Sequence, residues 1–225
     1  MQIKHATPPQ SETELMQRSA QLAGKTLAQL ANSIGSGVPQ QQKRAKGWIG
    51  EAVEIYLGAT AASRPEPDFQ LIGVELKTLP LNRHGRPKES TYVCTVPLTE
   101  LTGLTWENSI VKKKLQRVLW VPVEADPAIA FPERRIGNPF LWSPDATQEA
   151  DLRNDWEEII EMISLGELDR ISSSLGKVMQ VRPKGMNARA LTKTATATGE
   201  AGLTLPRGFY LRSSFTRSIL EGVRK

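Results

Sequence analysis

Helix-period and strand-period segments interleave along the whole 225-residue chain, with no internal repeat, heptad run or low-complexity tract. That mixture predicts an α/β or α+β fold rather than a helical bundle or a sandwich. Hydrophobic residues make up 39% of the chain, enough for a real core, and the length allows one large domain or two small lobes.

The elements follow in order. Residues 1–10 are polar and proline-bearing, which predicts a flexible tail. Ser11 with Glu14 has the spacing of a capping box, for a helix carrying Leu15, Met16 and Leu22, and Thr26 with Gln29 repeats it. In "KGWIGEAVEIYLGA", Trp48, Ala52 and Tyr56 recur with Ile49, Val53 and Leu57 at helical spacing, predicting a buried amphipathic helix stopped at Gly58. Glu51 and Glu54 lie together on another side of it. Residues 68–81 and 90–97 read as strands joined by a hairpin-like loop, "NRHGRPKE". "WENSIVKKKLQ" reads as a helix and "RVLWVPV" as a strand. Residues 151–165 form an amphipathic helix on Leu152, Trp156, Ile159, Ile160 and Ile163, its acids read as a solvated face. "KVMQVRP" and "GFYLR" are short strands, and a final helix from about Ser213 buries Phe215, Ile219 and Leu220.

Several function classes are excluded by what is missing. No apolar run approaches the ~18 residues that cross a bilayer, and the start lacks the layout of a secretory signal, which predicts a soluble intracellular protein. The single cysteine, Cys94, rules out an internal disulfide and a multi-cysteine zinc site, and reads as buried packing. Only His5, in the tail, and His84, in the turn-like "LNRHGRP", are available for histidine chemistry. Histidine zinc sites and histidine-centred triads therefore have almost no material.

Charge is unevenly spread. The net charge is +5, but residues 149–169 carry eight acids against Arg153 alone, whereas from 176 onward ten bases face Glu200 and Glu221. One face of the molecule should be strongly positive, which favours a polyanionic partner.

"EPDFQLIGVELKT", residues 66–78, has the form P-D-x6-E-x-K. With Glu and Lys each at roughly 6% of residues, a tolerant search finds about one such match per protein, so the bare pattern is weak. It is, however, the only E-x-K in the chain, behind one of two Pro-Asp pairs. On a strand, Glu75 and Lys77 share a face while Val74 and Leu76 point into the core, and Asp68 returns beside them through the turn at Gly73. Two carboxylates with waters and a phosphate oxygen make the hard oxygen shell that Mg²⁺ prefers. Lys77 can orient the attacking water or stabilise phosphorane charge, and Glu54 can add a carboxylate for a second ion or for the water. The competing reading is a solvated strand face with a Glu75–Lys77 pair.

Basic clusters favour nucleic acid. "VKKKLQR" sets Lys112, Lys113, Lys114 and Arg117 on and after a short helix, as phosphate contacts would be set. "VRPKGMNARAL" and "LPRGFYLR" put Arg182, Lys184, Arg207 and Tyr210 near turns, where they can reach base edges.

With these blocks "TWENSIVKKKLQRVLWVPVE", "NPFLWSP" and "DWEEIIEMISLGELDRI" occur in order, and the chain from about residue 12 to residue 220 resembles the MutH family. This is the family of strand-discriminating endonucleases of methyl-directed DNA mismatch repair. The resemblance implies a restriction-endonuclease-like PD-(D/E)xK fold, a mixed central sheet flanked by helices, with two lobes forming a DNA-binding cleft. The catalytic lobe would be mainly 11–106 and the DNA-reading lobe would include 107–145 and 176–225. It further implies Mg²⁺, with Mn²⁺ substituting, held by Asp68, Glu75 and the Leu76 backbone carbonyl, with Glu54 as an additional carboxylate and Lys77 as the catalytic lysine. Lys46 and Lys114 match lysines needed for activity or DNA contact. Arg182, Lys184 and Tyr210 match residues that read GATC and its adenine methylation. Tyr92 stands where relatives carry Phe, its ring still able to pack on DNA.

The implied activity is nicking of the unmethylated strand 5′ to the G of hemimethylated GATC, by a cytoplasmic, bacterial monomer acting at the nucleoid. The implied partners are double-stranded DNA with hemimethylated or unmethylated GATC, and MutL as activator, coupling it to MutS. Helix 151–165 and the final helix are both candidate docking surfaces, and the tail beyond Leu220 diverges. Two alternatives stand: a type II restriction enzyme cutting GATC, and a non-catalytic DNA-binding protein.

Overall fold

The structure is a computed structural model that describes residues 3–39, 42–62, 64–184, 191–195 and 201–223, with the backbone alone at 42–46, 193, 195 and 201. The chain divides into two compact units. One takes the chain to Glu89 and again from Gln116 to Ser143, and the other comprises Ser90–Leu115 and Pro144–Gly222. Residues 90–106 thus fall in the second unit and 116–143 in the first.

The first unit begins with a segment that is held down. Lys4 donates its N–H to the Ile34 carbonyl at 2.9 Å and Ala6 to that of Ile55 at 3.2 Å, so the described part of the expected tail is tethered. Helix α1 (Glu12–Ala20) starts where the Ser11 hydroxyl accepts the Glu14 N–H at 3.2 Å. Its box is half formed, because the Glu14 carboxylate accepts instead from Gln10 N–H at 2.7 Å. Helix α2 (Leu27–Ser33) has the complete Thr26–Gln29 box. Helix α3 (Gln42–Leu57) starts four residues earlier than the pattern suggested and buries Ala52, Val53 and Leu57. It ends at Gly58, whose φ of 84° is left-handed, and a Cβ there would lie 2.3 Å from the Thr7 carbonyl oxygen.

Residues 68–74 are not the strand expected. Phe69 bridges Val74 around a short 3-10 turn, Gln70–Ile72, closed by Gly73 at φ 65°. Strand β1 (Glu75–Leu81) follows. The loop after it turns back on the end of β1, with an antiparallel bridge between Leu81 and Pro87 and the Lys88 N–H donating to the Pro80 carbonyl at 2.9 Å, but β1 and β2 do not pair. The chain goes on to β2 (Thr91–Thr95), which pairs in the second unit's sheet, and then to α4 (Ile110–Leu115). The partner of β1 is β3 (Val118–Glu124), parallel to it, and β3 in turn pairs antiparallel with β4 (Phe140–Trp142). Val118 to Val123 are all buried, which is why "VLWVPV" reads as a nearly unbroken apolar run. Leu76, Leu119, Val121 and Val123 pack with α1, α2 and α3 residues such as Leu15, Leu30, Val53 and Leu57 into one core.

In the second unit, α5 (Ala146–Ser164) starts at a complete Asp145–Gln148 capping box, five residues before the apolar pattern begins at 151. Then come β5 (Met179–Pro183), β6 (Thr192–Ala195), β7 (Ala201–Thr204), β8 (Arg207–Leu211) and α6 (Ser213–Val223). Strands β2, β8 and β5 form an antiparallel sheet in that order, and β6 pairs with β7. Val93, Cys94, Met179, Val181, Phe209 and Leu211 are buried, as is the apolar side of α5. The three sheets and their helices are the mixed α/β content that the pattern predicted. Among the described residues no helix is long and apolar enough to cross a membrane.

Candidate active site

The turn that replaces the expected strand brings Asp68 to β1. Leu76 donates its N–H to the Asp68 carboxylate at 2.8 Å, while the Asp68 carbonyl accepts N–H groups from Thr60 at 2.9 Å and Ala61 at 3.3 Å. Glu75 donates its own N–H to the Arg117 carbonyl at 2.9 Å. Backbone polar groups of successive strand residues alternate in direction, so those of Leu76, its carbonyl included, face away from β3, on the side of Asp68.

Burial separates the two readings of this stretch. A solvated strand face would leave the carboxylates in water, yet Glu75 is 1% exposed and Asp68 7%. The Lys77 ammonium pairs with the Glu75 carboxylate, and both side chains are largely buried. Glu54, half-buried on α3, is pushed up to about 7 from the usual carboxyl range. Burial is the main cause, followed by the charges of Asp68 and Glu75, with Lys77 opposing them. Negative charge from Asp68 and Glu75 thus bears on Glu54 in a buried setting, where a cation would be favoured.

The donor set suits a hard divalent ion. Asp68, Glu75 and the Leu76 carbonyl offer only oxygen. Among the described residues no three His, Cys, Asp or Glu side chains are grouped into a cage. Mg²⁺ does not need a cage, because it keeps waters and substrate phosphate oxygens beside one or two carboxylates.

The second cluster lies on the open face of the β2–β8–β5 sheet. Tyr92 stands opposite Tyr210 in register, and their rings meet edge-on with centroids 5.3 Å apart. Arg182, opposite Gly208, donates to Ser90 Oγ at 3.0 Å and has its guanidinium carbon 5.9 Å from the Tyr210 ring centroid. Lys184, just past β5, donates to the Tyr92 hydroxyl at 2.7 Å. Both basic side chains are exposed. Gly208 allows the tyrosines their positions: a Cβ there would sit 2.8 Å from the Tyr92 ring and 3.0 Å from the Tyr210 ring.

Other residues expected at phosphates have partners of their own or lie outside the described side chains. Arg117 forks onto Glu12 at 2.7 and 2.5 Å, which lowers the Glu12 carboxyl below its ordinary range. Lys112 pairs with Glu107 and, at 3.2 Å, with Glu149, so it holds its proton more tightly than usual. Lys112 and Arg117 of "VKKKLQR" are therefore already paired within the protein. Lys114 is half-buried on α4. Lys46 lies in α3, but its side chain is outside the described ones. The basic C-terminal stretch is partly neutralised, with Lys177 on Asp151 at 2.8 Å and Arg217 on Glu221 at 2.7 Å. Arg189, Lys193, Arg224 and Lys225 fall outside the described residues or side chains.

One acid of the expected solvated face is in fact internal. Asp155 is buried and accepts the N–H groups of Lys177, Val178 and Met179, each at 2.7 Å, fixing the entry to β5. Its place between Leu152, Trp156 and Ile159 on the apolar side of the helix was the available signal.

Comparison with known proteins gives the family. Residues 57–155 match the family model described as "DNA mismatch repair enzyme MutH". The DNA mismatch repair protein MutH of Shewanella oneidensis is 51% identical over 221 residues, covering 98% of this chain and 99% of that protein. The MutH protein of Salmonella typhimurium is 54% identical over 214 residues, covering 95% of this chain and 93% of that protein. The chain belongs to the MutH family of DNA mismatch repair enzymes, with the restriction-endonuclease-like fold class that membership carries.

Proposed function

We propose that the chain is a Mg²⁺-dependent endodeoxyribonuclease of methyl-directed mismatch repair that nicks the unmethylated strand 5′ to the G of hemimethylated GATC. The products are a 5′ phosphate and a 3′ hydroxyl. The observation that carries this reading is the burial of Asp68 and Glu75 beside Lys77 and Glu54, in a chain of the MutH family.

Asp68, Glu75 and the Leu76 carbonyl would hold the ion, which would polarise the scissile phosphate and acidify a water. Lys77 orients that water and offsets the negative charge that grows on the phosphoryl oxygens as the bond to the 3′ oxygen breaks. Glu54, with a pKa near neutrality, is suited to exchange a proton with the water or to serve as a further carboxylate ligand. One such constellation per chain accounts for a nick rather than a double-strand break.

Reading of GATC is assigned to Arg182, Lys184, Tyr92 and Tyr210, with Lys46 and Lys114 on phosphates. An N6-methyl group adds bulk and removes one donor hydrogen from adenine, so a close contact at Tyr210 can reject it. MutL is the proposed activator, linking the monomeric nuclease to MutS in the bacterial cytoplasm.

A plasmid-nicking assay with Mg²⁺ or with EDTA, on unmethylated, hemimethylated and fully methylated GATC, tests the proposal. Nicking confined to Mg²⁺ and to unmethylated strands, and stimulated by MutL, is expected. Cleavage of both unmethylated strands with no MutL effect would indicate a restriction enzyme, and retention of DNA without any cleavage a binding protein.

A further inference from the structure

Lysine is ordinarily a poor reader of sequence, because its ammonium is a point charge on a flexible four-carbon stem. Lys184 is different here. Its Nζ donates to the Tyr92 hydroxyl at 2.7 Å and to Thr95 Oγ1 at 3.2 Å, and it lies 4.6 Å from the Tyr92 ring centroid. The two hydroxyls are themselves joined at 3.1 Å. Residues three apart on a plain strand point to opposite faces. The register shift between Tyr92 and Cys94 inserts one extra residue, so Thr95 comes round to the face of Tyr92. The bulge therefore has a definite product: a two-hydroxyl cradle for one ammonium, built on residues of a single strand.

We infer that Thr95 is a specificity-determining positioning residue, which with the Tyr92 hydroxyl converts Lys184 from a mobile charge into a directional donor. An ammonium has three donor hydrogens. Two are taken by the cradle, and the third is left with its direction set. A base-edge acceptor in the major groove, such as guanine O6 or N7 or thymine O4, is the matching ligand, and a base offering an amino group there is refused. The inference rests on the proposed reading of GATC, and it concerns the fidelity of that reading rather than its existence.

The test uses the full chain with Thr95→Val, which keeps the shape and β-branching of an exposed residue and deletes only the acceptor. The ratio of kcat/KM for GATC to that for sites altered at one base is measured with Mg²⁺, beside the salt dependence of binding to unrelated DNA. The expected result is a loss of about 5- to 20-fold in the ratio, from restoring part of a lysine's side-chain freedom. The salt slope stays as it was, because the charge is still present. Thr95→Ser, which retains the hydroxyl, restores the ratio, and Tyr92→Phe lowers it as Thr95→Val does. An unchanged ratio in Thr95→Val, or equal loss in Thr95→Ser, would overturn the inference while leaving a GATC-specific nuclease intact. No preference for GATC in the unmodified chain would overturn both readings.

Discussion

The Leu76 N–H and the Asp68 carboxylate meet at 2.8 Å, tying an acid that lies before the Gly73 turn to the strand that presents Glu75 and Lys77. The bond needs an acceptor but not a charge. Asp68→Asn can keep the Leu76 contact through its amide oxygen while losing the negative charge. Nicking should fall by about 10³-fold or more, as for loss of a group that holds transition-state charge, with little change in the thermal midpoint. Plasmid nicking and a melting curve measure the two. Retained activity would remove Asp68 from the site.

Glu75→Ala and Lys77→Ala address the ion pair. Each should abolish Mg²⁺-dependent nicking while leaving retention of DNA measurable in a gel-shift assay, since the tyrosine face is untouched. Full activity in either variant would contradict the assignment.

Glu54 gives a pH signature. Its carboxyl rises from 4.5 in the unfolded chain to about 7 in the folded one, so the folded state binds the extra proton between those values. The stability this contributes is fully present below 4.5 and is lost as pH rises through 7. Glu54→Gln should flatten that slope in urea unfolding measured across the window. Mg²⁺ should raise the thermal midpoint more at pH 8 than at pH 5, because at the lower pH it competes with the Glu54 proton. An equal slope in Glu54→Gln would show that the proton is held elsewhere.

Tyr210→Ala should lose methyl discrimination more than nicking. Rates on unmethylated and hemimethylated duplexes, compared strand by strand, report it, and an unchanged preference would count against a methyl contact at this ring.

Helix periodicity made α3 and α5 legible, because Ala52, Val53 and Leu57, and likewise Leu152, Trp156 and Ile159, face a core at 3.6-residue spacing. Gly58 marked a boundary because only glycine tolerates both its φ and the approach of Thr7. Strand partners were not legible. Alternation says which residues share a face but not which strand lies alongside: "NRHGRPKE" does turn back through the Leu81–Pro87 bridge, yet β1 pairs with β3 and β2 with β8. The pattern around Asp68, Glu75 and Lys77 was visible, but its burial was not, since that depends on α3 and β3 from elsewhere in the chain. The same limit hid the roles of Asp155 and Gly208. The place of Asp155 on the apolar side of its helix signalled burial, but not that it accepts three backbone N–H groups from the loop before β5.

The most direct test is strand-resolved cleavage of a hemimethylated GATC duplex carrying a different label on each strand, with Mg²⁺ and with EDTA. The result predicted is a single cut, on the unmethylated strand, immediately 5′ to the G, with a 5′ phosphate, absent in EDTA and absent for Glu75→Ala. Cleavage in EDTA, cutting of the methylated strand at a similar rate, or full activity of Glu75→Ala would contradict it.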